Sequence, residues 1–196
     1  LNVAGGLALG SETADVKGSI SAAIDLSGKD GLTVKNGSFT LADVTVSGET
    51  KLDAGQSGKL GVTKLTLAND VAVSGAVSVE TLAADKAAAL DVTGGNLTVA
   101  KGSLKDVSVT VGTSAAAAYA AANETPAAST DATTFAFGGN TVDGSIVANA
   151  NGVVAIGTTD LSAFHSVFSE EFGTWSNNTA AAFVAGPVTV EKTGSL

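Results

Sequence analysis

The sequence predicts an all-β protein whose strands stack as a parallel β-helix, or β-solenoid. Three observations lead to this fold class: an internal repeat, short apolar alternations and frequent turn residues. The chain of 196 residues contains 24 Gly and two Pro, which suits many tight turns with few rigid breaks. Apolar residues make up 44% of the chain but aromatic residues only 5%. We therefore expect a core of many thin layers of small side chains.

A segment of the first half returns later in the chain. GLTVKNGSFTLADVTVSG, residues 31–48, recurs with one deletion as NLTVAKGSLKDVSVTVG, residues 96–112, and a weaker copy starts at Leu65. Leu65 lies 33 residues after Leu32 and 32 before Leu97. Repeats of this size predict a solenoid, in which each unit buries its apolar side against its neighbours.

Brief alternations of apolar and polar residues fill the chain from Leu32 to Val111. A period of two is typical of strands with one side in the core and the other in water. The connectors are rich in Gly, Asn, Asp and Ser, which favour turns. Asn36-Gly37 is compatible with a corner of a solenoid or with a two-residue hairpin. The alternative fold is therefore an antiparallel β-sandwich.

The pattern divides the chain into three regions. Residues 1–112 read as repetitive β-solenoid rungs, and residues 113–134 as an insertion with a short Ala-rich helix, capped by Ser114, and a polar loop. Residues 135–196 resume strand-like sequence and contain a second short helix at about 160–172. This helix carries Phe residues near one face.

Aromatic residues concentrate in this second helix and just beyond it. We expect the helix to cover exposed strand edges of the stack, and the alternative interpretation is a partner-binding surface. Tyr119, in the insertion, is the only tyrosine of the chain. The candidate partner-binding residues are Phe164, Phe168, Phe172, Trp175 and Tyr119.

The charge of the chain argues against nucleic-acid binding. The net charge is −9, and all ten basic residues are Lys. Arg supplies the planar fork that usually meets phosphates and base edges, so its absence together with the acidic balance makes nucleic acid an improbable partner. Residues 106–196 hold one Lys against eight acidic residues, and an acidic surface of this kind usually favours solubility.

The sequence offers few resources for catalysis or metal binding. There is no Cys, and His165 is the only histidine; without a G-x-S-x-G motif it indicates no catalytic triad. The acidic residues Asp43, Asp53, Asp70, Asp91 and Asp106 are scattered at turns and strand edges, and no calcium-binding loop motif occurs. We expect no enzymatic activity, no metal and no cofactor, and a polysaccharide-degrading β-helix is disfavoured.

The sequence contains no apolar run long enough for a membrane-spanning helix. Its start at Leu1 rather than Met suggests a chain that was processed or excised from a longer polypeptide.

The units LTVKNGSFTLADVTVSG and LTVAKGSLKDVSVTVG resemble the passenger domains of bacterial autotransporters, the pertactin-like and AIDA-like surface proteins. The resemblance covers Leu32 to about Val111 and, more loosely, residues 135–190. It implies a right-handed parallel β-helix, a location that is secreted or at the bacterial cell surface, and a role in adhesion. No catalytic motif of the family has a counterpart here.

These observations lead to one preferred function and one alternative. The preferred function is a non-catalytic structural and adhesive segment, a stalk or passenger of a bacterial surface adhesin. Its partner would be a protein or glycan on a host or neighbouring cell. The alternative is a subunit of a surface layer or extracellular filament, in which copies of the chain pair through open strands.

Overall fold

The structure, a computed structural model, describes residues 1–112, 133–138, 141–148, 152–156, 183–184 and 188–190. These residues form thirteen strands of one sheet and contain no helix. The strands are β1 Asn2–Val3, β2 Leu7–Leu9, β3 Lys17–Ile20, β4 Ile24–Leu26, β5 Leu32–Val46, β6 Thr50–Leu67, β7 Val71–Ala84, β8 Ala88–Val111, β9 Thr133–Phe137, β10 Thr141–Ala148, β11 Gly152–Ile156, β12 Phe183–Val184 and β13 Val188–Val190.

The strands stack as coils of a β-solenoid of about five turns. The long strands β5 to β8 bend at corners, and each pairs in parallel with the next along most of its length. All pairings between the described strands are parallel. The predicted solenoid is therefore confirmed, and the antiparallel sandwich is wrong for this part of the chain.

Each complete coil contains three segments in which buried and outward-facing residues alternate. We name these segments faces A, B and C. In β5 they are residues 32–34, 38–41 and 43–46, and in β6 the paired segments are 52–54, 59–62 and 64–67. Face A of β6 begins at Lys51, which pairs with Ala72 of β7. Face B also includes β3, residues 76–79 of β7 and residues 96–99 of β8, and it continues through β9 and β11. The register shifts between Val34 and Asn36, which separates faces A and B of β5.

The core consists of columns of apolar side chains, with one residue from each coil. As predicted, the apolar residues of each alternation point inward: Leu32, Val34, Val44 and Val46 are fully buried. Burial of each such side chain contributes about 1.5–3 kcal/mol. One column of face B is formed by the buried residues Phe39, Leu60, Val77, Leu97, Phe135 and Val154.

Glycine permits the sharp corner between faces A and B. Gly37 has a φ of 94°, in the left-handed region that glycine adopts readily. Asn36 and Gly37 pair in parallel with Ser57 and Gly58 of the next coil. The Asn-Gly dipeptide therefore forms a corner of the solenoid, and the hairpin interpretation is wrong.

The three copies of the sequence repeat start on different faces. Leu32 pairs with Leu52 on face A, Leu65 with Val44 on face C, and Leu97 with Val77 on face B. From β1 to β8, stacked partners are closer in sequence than the repeat, with separations that range from 17 residues for Leu60 and Val77 to 25 for Leu7 and Leu32. Each face needs the same alternation of apolar and polar residues, so similar sequences recur on any of the three.

The strands after the proposed insertion join the same sheet. Strand β9 pairs with face B of β8 through Leu97 and Phe135, and β10 pairs with the last part of β8. Phe135 and Phe137 are both buried, with ring centroids 6.0 Å apart. The predicted helices within 113–134 and at about 160–172 lie outside the described residues, so these helices and the domain boundaries remain predictions.

Candidate functional site

The aromatic residues singled out from the sequence lie outside the described part of the chain. Their role as a partner-binding surface therefore remains a prediction. The only histidine, His165, also lies outside the described residues. These undescribed candidates are Phe164, Phe168, Phe172, Trp175 and Tyr119.

A second candidate surface emerges from the outward-facing residues of face B. Because inward and outward side chains alternate along a strand, burial of Leu60 and Val62 directs Lys59 toward solvent and leaves Gly61 in the outer layer. Parallel pairing repeats this arrangement on the neighbouring coils. We call the resulting two rows the face B surface: Lys17, Ser38, Lys59, Ala76, Asn96 and Thr134 in one row, and Ser19, Thr40, Gly61, Ser78, Thr98 and Ala136 in the other.

The face B surface carries no carboxylate at these twelve positions, although the whole chain has a net charge of −9. The other two faces do present acidic residues in their outer layers. Asp53 lies on face A, and Asp25 and Asp43 lie on face C. Face B therefore combines hydroxyl, amide and ammonium groups on an otherwise acidic protein.

An open groove of about 350 Å³ lies at the middle of the face B surface. Gly61 lies between Thr40 and Ser78 of the adjacent coils and interrupts their row of side chains. A Cβ atom at Gly61 would lie 3.5 Å from Thr40 Oγ1 and 3.7 Å from Ser78 Oγ. These are ordinary contact distances, so a side chain at position 61 would fit between Thr40 and Ser78 and would occupy this part of the groove.

Lys59 supplies a free positive charge at this groove. Its side chain is exposed and forms part of the groove wall. Among residues 1–112, Lys29, Lys35 and Lys101 form ion pairs with Glu49, Glu12 and Glu80, whereas Lys59 has no carboxylate partner. The Lys59 ammonium is therefore available to an anionic group from outside the protein.

Neutral polar groups surround this charge. Ser38, Thr40 and Thr98 contribute hydroxyls to the groove lining, and Asn96 contributes an amide. The Ser78 hydroxyl donates to the Leu60 carbonyl oxygen at 3.4 Å, which leaves its oxygen free to accept. The lining thus offers both donors and acceptors, but it contains no aromatic ring.

Two of the scattered aspartates link adjacent coils. Asp53 Oδ1 accepts a hydrogen bond of 2.9 Å from Ser74 Oγ, and Asp70 Oδ1 accepts one of 2.8 Å from the Ala89 amide. Each bond joins residues about one coil apart in sequence, so these carboxylates stabilise the stack. Across the described ranges, no group of three or more His, Cys, Asp or Glu residues is placed to hold a metal ion.

The sequence did not single out the face B surface, although it contained part of the signal. The alternation Lys59-Leu60-Gly61-Val62 indicates which side chains point outward. It does not indicate that Gly61 lies between Thr40 and Ser78, because that depends on coil lengths of 21 and 17 residues at this point.

The chain matches no protein-family model, no curated protein and no solved structure. In the described residues, no helix has the length and hydropathy needed to cross a lipid bilayer.

Proposed function

We propose that the chain is a non-catalytic structural and adhesive segment of a secreted or surface-displayed bacterial protein. In this role it is a stalk or passenger. The sequence repeat resembles those of the passenger domains of autotransporter adhesins. The chain holds binding surfaces at a distance from the cell and contacts a neighbouring or host cell.

The observation that carries this proposal is the continuous pairing of one coil with the next. The face B column extends from Phe39 through Leu97 to Val154 without leaving the sheet. Coils about 4.8 Å apart, each hydrogen-bonded to its neighbours, form a stiff rod. Five turns correspond to a length of roughly 24 Å.

The polar links between coils support a role as a rigid stalk. Thr50 Oγ1 donates a hydrogen bond of 2.7 Å to the Gly28 carbonyl oxygen, and Lys101 forms an ion pair of 3.1 Å with Glu80. These links join residues 22 and 21 positions apart in sequence. Separating two coils requires many such contacts to break together with the backbone ladder.

Adhesion of coated beads tests the proposal. Beads carrying the purified full chain should adhere to bacterial or epithelial cells under flow more strongly than albumin-coated beads. Beads coated with the heat-unfolded chain are the matched control for folded surfaces. Adhesion of the folded chain no greater than that of albumin would contradict the adhesive role.

A further inference from the structure

We infer that the face B surface binds a carboxylated polysaccharide, with the saccharide chain lying across successive coils and one uronate carboxylate at Lys59. This inference rests on the proposed adhesive function and names the ligand class. The groove at Gly61 is the centre of the site.

Charge complementarity is the first argument. An anionic polymer is repelled by a protein of net charge −9 unless it meets a surface from which carboxylates are absent. The two outer rows of face B meet this condition, while faces A and C present Asp53 and Asp43. The free ammonium of Lys59 then supplies the attractive contact.

The spacing of polar groups is the second argument. Parallel coils repeat every 4.8 Å or so, which is close to the length of one sugar residue in an extended polysaccharide. A saccharide chain along the solenoid axis therefore meets a new pair of outer residues at each sugar. Lys17 and Lys59 lie in the same row two coils apart, which corresponds to roughly 10 Å.

The lining suits hydroxyl-rich ligands. Sugar hydroxyls both donate and accept hydrogen bonds, and Ser38, Thr40, Ser78 and the Asn96 amide provide complementary groups. The gap in the row of side chains at Gly61, which we call the notch, leaves room for a substituent of the sugar. A side chain at this position would collide with that substituent. Because no aromatic ring is present for stacking, we expect weak binding at each sugar and stronger binding for longer chains.

The sparse basic charge favours carboxylate over sulfate. Densely sulfated chains are usually met by clusters of basic residues in which Arg forms paired hydrogen bonds. This chain has no Arg, and the face B surface carries only Lys17 and Lys59. An isolated ammonium group matches the single carboxylate of one uronate, whereas a multiply sulfated sugar calls for several basic groups together.

Strand β6 provides matched variants for a test because it carries one exposed Lys on each face. Lys51 lies on face A, Lys59 on face B and Lys64 on face C. The substitutions Lys51→Gln, Lys59→Gln and Lys64→Gln each change the net charge by the same amount. Only Lys59→Gln removes a charge from the groove.

Polygalacturonate oligosaccharides are the probe, with binding to the full chain measured by calorimetry at low ionic strength. We expect Lys59→Gln to weaken binding roughly tenfold, the effect of losing one charge-assisted hydrogen bond. Lys51→Gln and Lys64→Gln should change it less than about twofold, the level expected when a charge lies away from the contact. Equal losses for all three variants would show general charge attraction and would overturn the site.

Gly61→Thr tests the groove independently of charge. The new side chain would fill the notch and continue the row of Thr40 and Ser78, and we expect binding to fall while far-UV circular dichroism stays unchanged. Gly61→Ala, whose Cβ makes only ordinary contacts, serves if the larger residue disturbs the fold. Unchanged binding by a folded Gly61→Thr variant would overturn the placement.

Two further ligands test whether the site recognises carboxylate groups. Dextran, which is neutral, should bind more weakly than polygalacturonate, and heparin, which is sulfated, should not bind more tightly. Tighter binding of heparin would overturn the assignment to carboxylates. No binding of polygalacturonate with bead adhesion retained would refute this inference alone, whereas binding without adhesion would refute the proposed function alone.

Discussion

At the residue scale, the corners depend on backbone conformations that few side chains tolerate. Gly75 and Gly95 pair directly on adjacent coils, and their φ angles are 77° and 73°. A Cβ atom on Gly75 would lie 1.5 Å from the Ala54 carbonyl oxygen of the coil below. The corner therefore needs glycine for its conformation and for the close approach of two backbones.

We expect Gly75→Ala to lower the free energy of unfolding by more than about 1–2 kcal/mol, the cost of placing an L-residue in the left-handed region, because the contact with Ala54 adds to it. Gly94→Ala is the matched control, since a Cβ there meets nothing within 4 Å, and it should change stability by less than about 0.5 kcal/mol. Urea denaturation measures both variants. Equal losses of stability in the two variants would contradict the requirement for glycine at position 75.

At the element scale, each strand is stabilised by the coils on both sides of it. Leu60 of β6 is 1% exposed and lies between Phe39 of β5 and Val77 of β7. In a solenoid the stability is close to a sum of the contributions of each coil and of its contacts with its neighbours. A defect in one coil should therefore weaken the adjacent coils most.

The substitution Leu60→Ala should cost about 2–5 kcal/mol, because it leaves a cavity in the face B column. Hydrogen exchange should show the greatest loss of protection in β5, β6 and β7. Thr63→Ala, at an exposed position of the same strand, should leave protection unchanged. A uniform loss over all described strands would argue for a single cooperative unit instead.

At the scale of the whole molecule, the described coils form one continuous stack with a core of small side chains. Its strands join one parallel sheet from β1 to β13. Strand edges at the end of a stack can pair with another copy, and this pairing is the basis of the alternative function as a filament or surface-layer subunit. A single-chain stalk stays unassociated as the protein concentration rises, whereas a filament subunit assembles.

We expect a far-UV circular dichroism spectrum dominated by β-structure and a sedimentation coefficient independent of concentration. The spectrum follows from the described strands, and the constant sedimentation coefficient follows from a stalk that acts as a single chain. Analytical ultracentrifugation from micromolar to millimolar concentration measures the second quantity. Growth into fibres or sheets with concentration would support the filament alternative and contradict the single-chain stalk.

The sequence by itself determined that this protein is built from short strands and which side chains face the core. Leu32, Val34, Val44 and Val46 were predicted to point inward from their period of two, and all four are buried. This could be predicted because alternation is a local property of an extended backbone. The same local patterns and the repeat predicted turns at the glycines and favoured the parallel β-solenoid, with hairpins and an antiparallel sandwich as the alternative.

Only the tertiary structure decided which residues are neighbours. Leu32 pairs with Leu52 of the next coil. It does not pair with Leu65 or Leu97, which are its counterparts in the repeat. The groove at Gly61 likewise depends on pairing with Thr40 and Ser78. The physical reason is that all three faces require the same alternation, while the length of each coil depends on its corners. Sequence similarity therefore identifies a type of face, and the register alone brings the groups of the candidate site together.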